Sequence, residues 1–217
     1  MSKALLIIGA GGHASVLVDI LRQQNRKIVG IVSPEIELKS KVFDGIEHFE
    51  NDEDVLKFDN KTIELVNGIG SLPGSQLRAS IYLKFLALGY KFATVIAPSA
   101  TISDFAQIQS GVQVLAGAII QTGVTICSNT IINTGVIIEH DCFIGQNNHI
   151  APGATLSGQV HMNEFIHIGT GATVIQGVKI ENKVVIGAGA TVTKDVEENT
   201  ICFPARITKK VVVSDES

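Results

Sequence analysis

An aliphatic side chain recurs at every sixth position along the second half of the chain. The series consists of Ile96, Ile102, Ile108, Val114, Ile120, Ile126, Ile132, Ile138, Ile144, Ile150, Leu156, Met162, Ile168, Val174, Ile180, Ile186 and Val192. Neither the period of an α-helix nor the alternation of an ordinary strand sustains such a repeat, whereas hexapeptide periods are typical of parallel β-helices. We therefore predict a solenoid in which three hexapeptides, about 18 residues, make one triangular coil.

The other positions of the hexapeptide agree with this interpretation. A smaller residue follows four positions after most of the aliphatic ones, at Ala100, Ala106, Val112, Ala118, Val124, Thr130, Val136, Cys142, Ala154, Val160, Ala172, Val178, Val184, Ala190 and Val196. Two inward positions of unlike size would fill a narrow prism. Glycine stands at the fourth position of many repeats, where it allows the backbone to turn, at Gly111, Gly117, Gly123, Gly135, Gly153, Gly171, Gly177 and Gly189.

The chain before the repeat shows strands alternating with helices. Apolar runs predict strands over residues 4–8, 28–32 and 62–66, and amphipathic patterns predict helices over 13–22 and about 75–88. An extended segment over 92–96 leads into the solenoid. We therefore predict a Rossmann-like α/β domain over residues 1–92 and a β-helix domain with a short C-terminal tail over 93–217.

Composition narrows the class of protein. The hydrophobic content is 45% and the mean hydropathy is +0.31, yet no apolar run approaches the length of a membrane span. A net charge of −4 and few aromatic residues give no footprint for nucleic acid. The sequence opens without the pattern of a secretory signal, so we expect a cytoplasmic protein. Its three cysteines, Cys127, Cys142 and Cys202, lack metal-binding spacing and are expected to be reduced.

A glycine turn follows the first predicted strand. Gly9, Gly11 and Ala14 fit the loose G-x-G-x-x-G/A pattern, which sets backbone N–H groups and a helix N-terminus against a phosphate. A nicotinamide site would also need an acidic residue at the end of the second strand, where Ser33 stands instead. The turn favours a phosphate-bearing ligand such as a nucleotide sugar, although a purely packing role stays open. His13 could donate to phosphate or sugar, or be solvated.

A histidine beside an aspartate marks a second candidate site. His140 and Asp141 occupy outward positions of one hexapeptide, and Gly158 lies one coil later at the position of His140. An imidazole next to a carboxylate can serve as a general base, and the glycine would leave room for a ligand. His149 and His167 should lie one above the other on one face and His161 on another. A surface role stays open for His161 and His167.

These motifs together resemble one family. The chain is similar to the PglD/NeuD group of left-handed β-helix sugar acetyltransferases in segments spread over nearly its whole length. They are the turn Gly9-Ala10-Gly11-Gly12-His13, the junction Ala97-Pro98-Ser99-Ala100, Asn133-Thr134-Gly135, Ile138-Glu139-His140-Asp141, Ala151-Pro152-Gly153-Ala154 and Gly187-Ala188-Gly189-Ala190. The resemblance implies a left-handed coil, which the period itself does not reveal.

The resemblance also implies an activity and a site. Members use acetyl-CoA to N-acetylate the 4-amino group of a nucleotide-linked deoxyamino sugar, or to O-acetylate sialic acid, usually for surface glycans. His140 corresponds to their general base and Asp141 to its acidic neighbour. The remaining correspondences are Asn133 and His149 at the acceptor and acetyl-CoA site, Gly158 and Thr170 along the CoA arm, Ala188 near its adenine end, and Gly11, Gly12 and His13 at the nucleotide sugar. The family is expected to form homotrimers whose clefts lie between adjacent prisms.

Two departures from the family pattern concern the ligands. Many relatives carry Asp after the second strand, where this chain has Ser33-Pro34, so the nucleotide could be UDP, GDP or CMP. Near the C-terminus, Cys202-Phe203-Pro204-Ala205-Arg206 replaces the usual Gly-x-Pro-Ala-Lys/Arg, and Arg206 is a candidate partner for a CoA phosphate. We expect direct transfer without a metal or an acyl-enzyme, with an inert Cys142.

Two other classes of protein compete with the acetyltransferase. A γ-type carbonic anhydrase shares the prism and binds zinc through three histidines, which His149, His161 and His167 could supply in number but not on one face. A non-enzymatic scaffold or ligand sensor would use the prism alone.

Overall fold

A computed structural model describes residues 3–35 and 41–204 of the chain. The N-terminal unit is a parallel sheet in the order β3-β2-β1-β4. Its strands are Ala4–Ile8 (β1), Ile28–Val32 (β2), His48–Phe49 (β3) and Ile63–Asn67 (β4). The α-helices are Gly12–Gln23 (α1) and Leu77–Ala87 (α2), and short 3₁₀ helices cover Lys41–Phe43 and Asp52–Lys57.

Helices cover both faces of this sheet. Leu5 and Ile7 of β1 point into a core shared with α1, whereas Leu6 and Ile8 point into a core shared with α2. A parallel strand buried on both sides is a continuous apolar run, which is why β1 and β2 are recognisable in the sequence and have the predicted bounds. Strand β3 was not predicted, because its two residues are too few to show a pattern. The other predicted elements shift by one to three residues.

The solenoid winds two-residue strands into three parallel sheets, and the architecture is a left-handed parallel β-helix. Face I contains Val95–Ile96 (β5), Gln113–Val114 (β8), Ile131–Ile132 (β11), His149–Ile150 (β14), His167–Ile168 (β17), Val185–Ile186 (β20) and Ile201–Cys202 (β22). Face II contains Thr101–Ile102 (β6), Ile119–Ile120 (β9), Ile137–Ile138 (β12), Thr155–Leu156 (β15), Thr173–Val174 (β18) and Thr191–Val192 (β21). Face III contains Gln107–Ile108 (β7), Thr125–Ile126 (β10), Phe143–Ile144 (β13), His161–Met162 (β16) and Lys179–Ile180 (β19).

The predicted six-residue series forms the core of the prism. Its members from Val114 to Val192 are buried, and so are most of the smaller residues that follow them. From Gly111 to Gly189 the fourth position takes a left-handed backbone conformation whether or not it is glycine, for example at Gly123 (φ 73°) and Asp141 (φ 59°). Each coil therefore pairs with the next in register, as between Ile126 and Ile144.

Face I packs against the N-terminal unit. Gln113 points outward from this face, yet it is fully buried because the N-terminal unit covers it. Val95 and Leu115 share a hydrophobic core with α1. Phe92 bridges to Leu65 of β4 just before the first strand of face I begins. Neither helix of the described ranges has the length and apolar character that crossing a bilayer requires.

Candidate functional site

His140 and Asp141 lie on the corner where the chain passes from face II to face III. The His140 carbonyl accepts from the N–H of Gln159 at 2.9 Å, and the Asp141 N–H donates to Thr122 at 3.0 Å, so the coils on either side fix this corner. Nδ1 of His140 lies 2.9 Å from the Asp141 carboxylate. Both side chains are about half exposed, at 46% and 60%. The carboxylate holds Nδ1, and among the described residues Nε2 has no hydrogen-bond partner.

Gly158 lies directly beneath the His140 ring. A Cβ added to Gly158 would stand 2.6 Å from Nε2 and 2.7 Å from Cε1 of that ring. The sequence suggested that the glycine leaves room for a ligand, but the imidazole itself fills that room and Gly158 is buried. Among the described residues, the N–H of Gly158 has no hydrogen-bond acceptor. The residue beneath the histidine ring therefore has an unused backbone donor.

Asn133 and His149 contact each other near the corner between faces I and II. Nε2 of His149 lies 3.1 Å from Nδ2 of Asn133, and Nδ1 lies 2.9 Å from the Ser71 carbonyl. Burial, with His167 nearby, lowers the pKa of His149 to about 4. A neutral ring that accepts from Asn133 and donates to Ser71 satisfies both contacts. His149 thus attaches the loop at Ser71 to the solenoid.

Thr170 and Ala188 are exposed on the same corner as Asn133, one coil apart. The Gly189 N–H donates to the Thr170 carbonyl at 2.8 Å, which keeps the two coils in register. His140 follows β12 and Asn133 follows β11, so one chain places them on neighbouring corners. The predicted site residues of the solenoid therefore form two clusters.

The glycine turn joins β1 to α1. Gly11 and Gly12 are exposed, and added Cβ atoms there would meet nothing, so a ligand can reach their backbone. Gly9 (φ 94°) is closely packed, because a Cβ there would approach Ile69 to 2.7 Å. His13 is half-buried, with Nε2 at 2.7 Å from Oε1 of Gln113.

The end of β2 is occupied by backbone contacts. The Ser33 N–H donates to Phe49 at 2.9 Å, and Nε2 of His48 lies 2.7 Å from the Ser33 carbonyl. His48 was absent from the sequence-based site, although it is a polar side chain beside the end of β2. Arg206, the predicted partner for a CoA phosphate, lies outside the described residues.

Arg78 is a buried cation that the sequence analysis missed. Its guanidinium donates to the carbonyl groups of Asn67, Ile69 and Asn129 at 2.9, 2.7 and 3.2 Å. It also donates to Oε1 of Gln113 at 3.1 Å. Burial lowers its pKa to about 9, which leaves it charged at neutral pH. Burial and then the Arg78 charge lower the pKa of His13 to about 4.

The remaining histidines do not form one cluster. His149 and His167 stack on face I with ring centroids 4.9 Å apart, as their spacing predicts. His161 lies on face III against Phe143. In residues 3–35 and 41–204, no group of three His, Cys, Asp or Glu side chains is placed to hold a metal. The arrangement of three histidines that a carbonic anhydrase uses is therefore not found within this part of the chain.

Cys142 is 1% exposed, and its Sγ donates to the Ser157 carbonyl at 3.2 Å. Burial raises its pKa to about 11.

A cavity of about 410 Å³ lies between the loop at residues 71–76 and face I, beside His167 and Lys183. It is separate from the corner that carries His140.

Comparisons with known proteins match this architecture. The family described as PglD N-terminal domain matches residues 4–85. A histidine-to-asparagine variant of perosamine N-acetyltransferase from Caulobacter crescentus, in complex with CoA and GDP-perosamine, is 30% identical over 97% of this chain and 99% of its own, with a TM-score of 0.83. The acetyltransferase domain of PglB from Neisseria gonorrhoeae, in complex with acetyl coenzyme A, is 28% identical over 95% of this chain and 99% of its own, with a TM-score of 0.84.

The match to the Caulobacter enzyme extends over both units of the chain, and the family match covers the N-terminal unit alone. The predicted resemblance and the predicted acetyl-CoA dependence are thereby confirmed, and the scaffold and carbonic anhydrase alternatives are set aside. The chain belongs to the PglD-type sugar acetyltransferases, acyltransferases that take the acetyl group from acetyl-CoA.

Proposed function

We propose that the enzyme N-acetylates the 4-amino group of a UDP- or GDP-linked 4-amino-deoxy sugar, with His140 as general base. The observation that carries the proposal is the His140–Asp141 pair, with Nδ1 held at 2.9 Å and Nε2 available on an outward corner. The Caulobacter relative, solved with CoA and GDP-perosamine and with one histidine replaced, supports this chemistry. The enzyme would act in the cytoplasm, and its product would be used for the synthesis of surface glycans.

The reaction would be a direct transfer. The amine nitrogen adds to the thioester carbonyl, and His140 takes the proton that the nitrogen loses. The C–S bond then breaks, and the imidazolium of His140 gives that proton to the leaving sulfur, so that CoA is released as the thiol. Asp141 stabilises the imidazolium that forms. The unused Gly158 N–H beside His140 is our candidate donor to the tetrahedral oxyanion.

An acyl-enzyme at Cys142 is a poor alternative. The thiolate is the nucleophilic form of cysteine, and burial disfavours it here by raising the pKa of Cys142 to about 11. The side chain also points into the core of the prism rather than toward the corner. The amine is therefore proposed to attack acetyl-CoA itself.

We further propose that the ligands bridge both units and two chains. Gly11, Gly12, His13 and Ser33 of the 1–92 domain would contact the nucleotide sugar. Asn133, His149, Thr170, Ala188 and Arg206 of the 93–217 domain would contact acetyl-CoA and the acceptor, with Gly158 beside the acetyl group. Because His140 and Asn133 lie on neighbouring corners of one prism, a homotrimer would bring the base of one chain to the CoA groove of the next.

One assay tests the activity. The enzyme is incubated with acetyl-CoA and UDP-, GDP- and CMP-linked amino sugars, including GDP-perosamine, and free thiol is followed. Sialic acid serves as a hydroxyl acceptor, and a lane without acceptor measures hydrolysis. We expect thiol release with at least one 4-amino sugar, and the product's NMR spectrum should show an amide. Thiol release with sialic acid but with none of the amino sugars would contradict the proposal. So would the absence of thiol release with every acceptor tested, provided that acetyl-CoA is shown to bind.

A further inference from the structure

The amide of Gln113 has one possible orientation in its buried position. One end lies 2.8 Å from the Asn67 carbonyl, which can only accept, and the other lies 3.1 Å from Nη2 of Arg78, which can only donate. The first must be the NH₂ group and the second the oxygen. Reversing the amide would place its oxygen against the Asn67 carbonyl oxygen and its NH₂ group against Nη2 of Arg78, in a fully buried site.

This orientation decides the tautomer of His13. Nε2 of His13 lies 2.7 Å from the Gln113 oxygen, which already accepts from Arg78 and has no hydrogen to give. Nε2 must therefore carry the hydrogen and donate. In a neutral ring the other nitrogen, Nδ1, then has a lone pair and accepts. Among the described residues Nδ1 has no hydrogen-bond partner. It is also not among the polar atoms that are fully buried without a partner, so it is not sealed off from a ligand.

We propose that Gln113 is a positioning residue, which fixes His13 with its hydrogen on Nε2 so that Nδ1 accepts a hydrogen bond from a donor group of the bound sugar. The inference rests on the proposed function, because it takes the nucleotide sugar as the ligand at the glycine turn. The sequence-based expectation was that His13 could donate to phosphate or sugar, or be solvated, and this inference makes it an acceptor from the sugar instead. A phosphate oxygen offers no hydrogen to Nδ1, whereas a sugar hydroxyl or amine does.

The surroundings keep the ring neutral. Burial and the adjacent Arg78 charge lower the pKa of His13 to about 4, and His149 is the other titratable group facing it. At neutral pH the ring therefore has no second hydrogen with which to donate. Gln113 belongs to the solenoid and His13 to the N-terminal unit, so the contact also couples the two.

The tautomer can be measured directly. In protein with ¹⁵N-labelled histidine rings, the nitrogen that carries hydrogen and the one that does not have well-separated shifts, and a His13→Ala variant assigns the signals. We expect His13 of the wild-type enzyme to carry its hydrogen on Nε2 throughout pH 6–8. Hydrogen on Nδ1, or on both nitrogens, would overturn the inference. This result does not depend on which substrate is acetylated.

The role in binding is tested by Gln113→Met, with Gln107→Met on exposed face III as the matched control. For the sugar that the wild type acetylates, we expect KM to rise about tenfold in Gln113→Met, with kcat within about twofold. Affinity for the free nucleoside diphosphate should not change. An unchanged KM, or equal loss of nucleoside diphosphate affinity, would contradict a contact to the sugar.

Should Gln113→Met not fold, the ¹⁵N spectrum of the wild-type enzyme still decides which nitrogen of His13 carries the hydrogen. An inactive wild type with the expected spectrum would count against the proposed function and not against the tautomer.

Discussion

Asp141 adopts a left-handed backbone conformation, and this allows its carboxylate to reach Nδ1 of the residue before it. The fourth position of each hexapeptide from Gly111 to Gly189 has this conformation, and aspartate tolerates it better than most residues. The side chain also leans over Gly123, one coil earlier, where a Cβ would collide with it. The repeat thus places an acid beside the histidine using only adjacent residues.

Replacing Asp141 by Asn tests the charge of that acid. Asparagine keeps the left-handed backbone and can still accept from Nδ1, but it does not stabilise an imidazolium. We expect kcat to fall about tenfold or more, with an unchanged melting temperature. The measurement is steady-state thiol release together with thermal unfolding. Full activity in Asp141→Asn would show that the carboxylate charge does not contribute.

Replacing Cys142 by Ala tests the direct-transfer mechanism. The thiol is buried and its pKa is raised to about 11, so we expect kcat to stay within about twofold of wild type. Loss of the buried sulfur should lower stability by about 1–2 kcal/mol. Kinetics and intact-protein mass spectrometry check both points. An inactive but folded variant, or an acetyl adduct at Cys142 in the wild type, would support an acyl-enzyme instead.

At the scale of elements, coil stacking brings His140 over Gly158. The six-residue period predicted that these positions are neighbours on successive coils, and this is confirmed. It did not predict that the ring turns down over the glycine, since a side-chain rotamer leaves no trace in a period. Gly158 is the position that allows this orientation of the imidazole.

Gly158→Ala should therefore disturb the base without disturbing the fold. The new Cβ would stand 2.6 Å from Nε2, so the ring must move, while the backbone at this position suits any residue. We expect kcat to fall at least tenfold, with a melting temperature close to wild type. Gln176→Ala, one coil further along the same corner, is the control and should stay active. A fully active Gly158→Ala enzyme would show that the ring position is unimportant.

Sequence periodicity predicted the elements better than their contacts. Core positions such as Ile126 repeat regularly, so register and face could be predicted for the whole solenoid. Arg78 and Gln113 have no periodic pattern, are 35 positions apart and meet only because face I packs against the N-terminal unit. The same packing buries His13 and His149. Isolated polar residues in a sequence do not reveal which of them a distant element will cover.

At the scale of the whole molecule, the junction between the two units contains neutral histidines and one buried cation. The pKa values of His13 and His149 are lowered to about 4, mainly because packing removes water from the rings. A buried arginine with carbonyl partners is costly to unpair, so the units should stay together in the native state. Protonating the histidines should oppose this packing.

The free energy of unfolding should therefore depend on pH. Each ring has a folded pKa below its unfolded value of 6.5, so the unfolded chain binds protons first as the pH falls. Stability should be fully present above pH 6.5 and decline toward pH 4, by at most about 3 kcal/mol for each ring. Urea unfolding at one protein concentration measures it. His13→Gln should flatten the decline and His161→Gln should not; equal slopes in all three proteins would contradict this origin.

The most direct test of the mechanism is the turnover of His140→Ala with acetyl-CoA and the amino sugar that the wild-type enzyme acetylates. Because the variant lacks the group that takes the proton, we expect kcat to fall by about two orders of magnitude or more, with acetyl-CoA affinity nearly unchanged. A folded His140→Ala enzyme that retains most of its kcat would contradict the role of His140 as the general base.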